Sequence, residues 1–255
     1  MKTNEFINKI DAAYPYKLAM ENDNSGVVFC DMEANVRKVL VALDITEAVI
    51  NEAASFNCDF ILSHHPLIYS PLYSVDSERD RMFFLLVKNR INAVSAHTNL
   101  DIARGGVNDA LAAALAIENA ESFEIKDEGK AYMLGRIGNI SEMKIEEFVL
   151  LIKKRLGIPC VKYTKAGEKI KRVAVLAGGA ADYIKYAKLA GADTLVTGDV
   201  KYRHGSQALS LGLNLIDAGH FQTENVVMPV LYDFVISLGL ECIISNASKG
   251  YFEYL

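Results

Sequence analysis

The chain has only four cysteines in 255 residues, and no two of them stand at a Cys-x-x-Cys spacing. That excludes a zinc knuckle and a disulfide framework. Cys30, Cys58, Cys160 and Cys242 each sit among apolar neighbours and read as small buried thiols of a cytoplasmic protein. Basic clusters are scarce too. The densest, Lys153-Lys154-Arg155, falls on the polar face of an expected helix, and the formal net charge is -5, so nucleic acid is not an expected partner. The opening stretch MKTNEFINKIDAAYPYKLAM lacks the apolar core of a secretory signal. The longest apolar stretch, VVMPVLYDFVISLGLECII, is interrupted by Pro229, Asp233 and Glu241, and reads as a buried helix followed by a strand, with no membrane span. No linker rich in Pro, Gly or Ser is present, so freely moving parts are not expected. A hydrophobic content of 51 % is ample for a core, and the length allows one large domain or two of ordinary size.

What is present is an alternation of short apolar runs with segments of helical period. KVLVALDI (38–45), DFILS (59–63), NAVSA (92–96), RVAVLA (172–177), DTLVT (193–197), LNLID (213–217) and ECIIS (241–245) read as strands. The segments between them, TEAVINEAASF and ADYIKYAKLA among others, read as helices. Near-continuous apolar strands separated by helices predict an α/β fold with sheets covered on both faces. The pattern also repeats. Residues 38–65 align without a gap on 172–199, placing Val39 on Val173, Ala53 on Ala187, Asp59 on Asp193 and Ser63 on Thr197. NAVSAHTNLD (92–101) echoes NLIDAGHFQTE (214–224), and both end on a histidine followed four residues later by an acid. Two related, duplicated α/β domains with mixed sheets, side by side or intertwined, are therefore expected at 1–125 and 126–255.

The five histidines, His64, His65, His97, His204 and His220, all fall at or just beyond the C-terminal ends of expected strands, each near a carboxylate. That edge of an open α/β sheet is where ligands bind. A single histidine there is more often a satisfied structural residue, but five in the same kind of position point to a shared task. Imidazoles and carboxylates without thiolate suit zinc, manganese, iron, cobalt or nickel. His64 and His65, adjacent at a strand end, can diverge toward two ions, and Asp101 and Glu224 can bridge them. Two ions ~3.5–4 Å apart would polarise a substrate and activate a water. No serine or cysteine nucleophile signature competes, and the paired glycines of VLAGGAADY fall short of a phosphate-binding fingerprint and read as a tight turn.

These stretches resemble a known family. VALDIT, ILSHHPLIY, AHTNLDIARGGVNDALA, VTGDVKYRHGSQAL and DAGHFQTE look like the signatures of the Nif-three-like proteins, the GTP cyclohydrolase I type 2 homologues, over nearly the whole chain. The resemblance implies two related α/β domains, a dinuclear metal site between them and a ring-shaped homohexamer. It implies His64, His65, Asp101, His220 and Glu224 as metal ligands, His97 as a further histidine beside the metals, and Asp199 with His204 as the counterpart of its Gly-Asp…His segment. The family pattern Trp-Asp-Asn-x-Gly-Leu reads here Asn22-Asp23-Asn24-Ser25-Gly26-Val27, a departure that touches a substrate contact of the aromatic ring and spares the ligands. The further domain that some relatives insert between the halves is also missing, so ring and site are expected to be the whole protein.

The expected function is that of a dinuclear metal-dependent hydrolase acting on a small molecule, with Asp101 and Glu224 holding the ions and His97 or His204 shuttling protons. The alternative is a metal-binding or regulatory protein that turns nothing over. Within the repeat, His65 corresponds to Asp199, so Asp199 is expected close to the metals as a residue that orients a neighbour, His204 or a ligand water.

Overall fold

The computed structural model describes residues 1–253. The chain divides into two units, Met1–Arg104 with Met228–Lys249, and Gly105–Val227 with the residues from Gly250 onward. The expected boundary at residue 125 is thus displaced in two ways. The segment before it belongs to the second unit, because residues 118–127 pair within the second sheet, and the C-terminal helix and strand return to the first.

The first unit runs α1 (Thr3–Ala13), β1 (Gly26–Phe29), β2 (Lys38–Ala42), α2 (Glu47–Ser55), β3 (Phe60–Ser63), α3 (Arg81–Asn89), β4 (Asn92–Ser95) and α4 (Thr98–Ile102). The second continues with α5 (Val107–Ala114), β5 (Glu118–Asp127), β6 (Lys130–Lys144), α6 (Ile145–Leu156), β7 (Lys162–Thr164), β8 (Lys169–Val175), α7 (Ile184–Leu189), β9 (Thr194–Thr197), α8 (Tyr202–Ser210), β10 (Asn214–Asp217) and α9 (His220–Asn225). α10 (Met228–Ser237) and β11 (Glu241–Ile244) then complete the first.

The first sheet has the order β1-β4-β3-β2-β11, all parallel except β1, which lies antiparallel against β4. Its central strands are buried on both faces, as a parallel sheet sandwiched by helices requires. On one side Leu40, Ile61 and Ala93 pack with Val49, Ile50 and Leu86 of α2 and α3. On the other, Phe6 of α1 meets Phe60 edge-to-face at 4.9 Å. α2 starts cleanly because the Thr46 side chain accepts a hydrogen bond from Val49 N.

The second sheet has the order β5-β6-β8-β9-β10-β7, in which β8, β9 and β10 are parallel and the others antiparallel. Its core gathers Phe148 and Ile152 of α6 with Val173, Val175, Val196 and Ile216. α6 carries Glu146 and Glu147 in its first turn and Lys153, Lys154 and Arg155 in its last, ending on Gly157 in the left-handed region. The basic cluster therefore complements the helix dipole.

Both sheets contain three consecutive parallel strands with an antiparallel strand beside the third: β2-β3-β4 with β1, and β8-β9-β10 with β7. The matching extends to side chains. Asp59, before β3, accepts from Arg37 N and Lys38 N, and Asp193, before β9, accepts from Lys171 N and Arg172 N. Asn92 Oδ1 at the head of β4 accepts from Asp31 N, and Asn214 Oδ1 at the head of β10 accepts from Ala166 N and Gly167 N. All four cysteines are free thiols, but Cys160 is exposed, contrary to expectation, because it lies in the turn between α6 and β7. Among the described residues, no helix is long and apolar enough to cross a membrane.

Candidate metal centre

In the first unit the expected site residues gather beyond the C-terminal ends of β3 and β4. His64 N and His65 N continue the pairing of β3 by donating to Ala42 O and Leu43 O. The Ser63 hydroxyl donates to His65 O across the turn at 2.8 Å. The two rings lie 4.9 Å apart at 41°, so the turn has cancelled the alternation that would send them to opposite faces. His97 precedes α4, its ring 5.2 Å from that of His64 and 5.5 Å from that of His65. One nitrogen from each of the three histidines falls within 4.8 Å of the other two. One turn further along α4, Asp101 Oδ1 stands 3.7 Å from His64 Nε2.

In the second unit, β10 ends at Asp217 and α9 begins directly at His220. The i,i+4 spacing of that helix brings His220 Nε2 to 3.1 Å from Glu224 Oε2. Asp199 Oδ2 lies 2.7 Å from His220 Nδ1. Asp199 reaches that position from a left-handed backbone conformation, φ 52°, which a non-glycine residue adopts only when its surroundings hold it there.

One rule governs all four of these imidazoles. His64 Nδ1 meets Ala96 O at 2.8 Å, His65 Nδ1 meets Asp44 Oδ1 at 2.8 Å, His97 Nδ1 meets Asp23 Oδ1 at 2.7 Å, and His220 Nδ1 meets Asp199. Each acceptor fixes the proton on Nδ1 and leaves Nε2 as the basic nitrogen, as metal-ligating histidines are held. Donors on one zinc ion are separated by ~3.3–3.4 Å at the tetrahedral angle, given bonds of about 2.0–2.1 Å. The His64–Asp101 and His220–Glu224 separations bracket that value. The residues therefore fit divalent cations by geometry and by donor chemistry. His64 is fully buried and Glu224 is 4 % exposed, which is costly for such groups unless they are compensated.

The electrostatics agree. Burial alone would push the His220 pKa down, but Glu224 and then Asp199 outweigh it and raise it to about 9. Without a cation this histidine holds a proton at neutral pH, so an ion binding there displaces it. Asp23 is half-enclosed, which by itself would raise its pKa. Hydrogen bonds from His97, Ser25 and Thr98 instead hold its carboxyl well below the usual range.

His204 does not join either group. On α8 its Nδ1 accepts from Lys201 N at 3.1 Å and its Nε2 donates to Asp182 Oδ1 at 3.0 Å, so one ring nitrogen serves the helix start and the other a hydrogen bond. The expectation that Asp199 orients His204 is corrected with it, since Asp199 holds His220, itself a candidate ligand. Sequence reasoning assigned no role to Asp44 and Asp23. Asp44 carried a signal, an acid just beyond a strand end like the other site residues. Asp23 was visible only as a survivor of the altered Asp-Asn-x-Gly segment.

The Duf34/NIF3 (NGG1p interacting factor 3) family signature matches residues 1–250. A GTP cyclohydrolase 1 type 2 homolog of Clostridium perfringens is 36 % identical over 262 residues, covering 100 % of both chains. One of the same name from Methanocaldococcus jannaschii is 35 % identical over 248 residues, covering 95 % of this chain and 98 % of its own. Among solved structures, reduced HcgD from Methanocaldococcus jannaschii superposes with a TM-score of 0.83 at 33 % identity, covering 96 % of this chain and 98 % of that one. A Bacillus cereus protein related to NIF3 gives 0.88 at 26 % identity, covering 100 % and 99 %. With a signature spanning nearly every residue and relatives aligned end to end, the chain belongs to the Duf34/NIF3 family.

Proposed function

We propose that the chain holds two divalent cations, zinc, manganese, iron, cobalt or nickel, and is a metal-dependent hydrolase of a small molecule. The observation that carries this reading is the common tethering of four imidazoles through Nδ1, each presenting Nε2. In this reading His64, His65, Asp101, His220 and Glu224 are the ligands of the two cations. The shared strand order and the paired Asp59/Asp193 and Asn92/Asn214 anchors support descent of the two units from one duplicated ancestor.

The cations supply positive charge that polarises a substrate oxygen and acidifies a water near neutral pH. Asp101 and Glu224 hold them with formal negative charge. Asp44 and Asp199 keep His65 and His220 in one tautomer and one orientation. In this reading His97 is the proton carrier at Nε2, its ring oriented by the Asp23 contact on Nδ1. His204 has no part in it.

The relatives' names suggest opening of a guanine nucleotide's ring as one reaction of this class. The chain is proposed to work in the cytoplasm as a homohexameric ring, with neither membrane nor nucleic acid as partner. The test is a screen of metal-loaded protein against phosphoesters, nucleotides including GTP, and cyclic amides. Turnover that falls to background in Asp101→Ala is the expected result. Loaded wild type that binds metal but converts none of these classes would contradict the hydrolase and favour a metal-binding or regulatory protein.

A further inference from the structure

Glycines line the His220–Glu224 pair on the side of the β8–α7 turn. Gly178 has φ +66°, and a methyl group on it would overlap Glu224 Oε1 outright, while standing 3.0 Å from Glu224 Cδ and 3.4 Å from His220 Nε2. A methyl on Gly179 would come within 3.1 Å of Asp199 Oδ2. The backbone at Gly178 cannot retreat easily. Gly178 N donates to Thr223 Oγ1 at 3.0 Å, immediately before Glu224, and Gly178 O accepts from Gly198 N at 2.9 Å, immediately before Asp199. The two segments that bear the site, α9 with His220 and Glu224 and the turn after β9 with Asp199, are thus pinned at one residue.

We infer that Gly178 is a positioning residue for cation binding: its missing side chain is the space in which the Glu224 carboxylate rests beside His220 Nε2. The inference deepens the proposed function and rests on Glu224 being a ligand. The paired glycines, a bare tight turn in the sequence, thereby acquire a role that no other residue type can fill. Alanine at 178 must displace the carboxylate, because the turn is held from both sides.

Gly157 supplies the control. Its φ is also +66°, yet a methyl there meets nothing within 4 Å. Gly157→Ala therefore carries the same backbone strain without touching a site residue. Glu224→Asp withdraws the carboxylate by about one C–C bond, ~1.5 Å, and so offers room for the new methyl in a Gly178→Ala background.

The experiment is calorimetric titration of chelator-treated protein with Mn2+ and with Zn2+, together with melting curves, for wild type, Gly178→Ala, Gly157→Ala, Glu224→Gln and the double variant Gly178→Ala/Glu224→Asp. One of the two ions should bind roughly 10–100-fold more weakly in Gly178→Ala, the usual effect of disturbing a ligand's support. Gly157→Ala should bind as wild type while melting lower, and the double variant should recover affinity over Gly178→Ala. Should Gly178→Ala fail to fold, the double variant should fold and bind. Wild-type affinity in Gly178→Ala, or a double variant no better than the single one in folding and binding, overturns the inference. If Glu224→Gln keeps both ions at full affinity, the ligand assignment itself has failed, a result distinct from the others.

Discussion

At the scale of single residues, the candidate centre is held by acids that lie far along the chain from the histidines they orient. The candidate ligands announce themselves because each is a chemically rare type at a strand end or one helical turn from it, as His97 and Asp101 or His220 and Glu224 are. Their anchors do not. Asp44 lies 21 residues from His65 and Asp23 lies 74 from His97, separations that only the folded sheet closes. His204 shows the converse error: the right residue type at the right edge, with both nitrogens already engaged. Asp199 carries the prediction at this scale. Its replacement by alanine releases His220 Nδ1 and should weaken one cation roughly 10–100-fold by calorimetry. It should also change the pH response of the metal-free protein. A histidine raised from 6.5 to about 9 stabilises the fold fully below 6.5, and that contribution is lost as pH rises through about 9. Losing Asp199 removes part of the upward push, so the fall in melting temperature between pH 6 and pH 9 should be smaller in Asp199→Ala. Identical affinity and identical pH profiles would show that Asp199 does not hold His220 in solution.

Among elements, the central apolar strands β2, β3, β4 and β9 were readable because burial on both faces leaves few polar residues in them. The antiparallel strands were not. β5 is exposed at nearly every position, so ENAESFEIKD has little apolar periodicity. Its hairpin to β6 turns on Glu128 and Gly129, both at positive φ, in place of the more recognisable Asn-Gly or Asp-Gly. α9 ends at Asn225, just before the apolar stretch 226–244, and the break at 226–227 separates the candidate site helix from α10, which returns to the first unit. Asp193 offers the test of the repeated devices. One carboxylate oxygen receives Lys171 N at 2.8 Å and Arg172 N at 2.7 Å, fastening β8 to the start of β9. Asp193→Ala leaves those amides without their acceptor and should cost about 1–3 kcal/mol in urea unfolding, with Asp59→Ala costing a similar amount. Losses below about 0.5 kcal/mol, the range of an ordinary surface substitution, would show that these carboxylates do not fasten the strands.

At the scale of the whole molecule, the chain divides at other boundaries than the repeat suggests. An alignment of two βαβ segments does not reveal that the last strand, β11, returns to lie beside β2. Nor can one chain's sequence display an assembly. The proposed hexamer should scatter light at six times the 28.1 kDa chain mass, and a monomer mass at micromolar concentration would refute it. The central claim, that His64, His65, Asp101, His220 and Glu224 together serve two cations, is tested most directly by counting ions. Chelator-stripped protein is saturated in turn with manganese, zinc, iron, cobalt and nickel, freed of excess, and its metal measured per chain by elemental analysis. The account predicts a value near two with at least one of these metals, falling to one or below in Glu224→Ala. A value that stays at or below one with every metal in the wild type would contradict it.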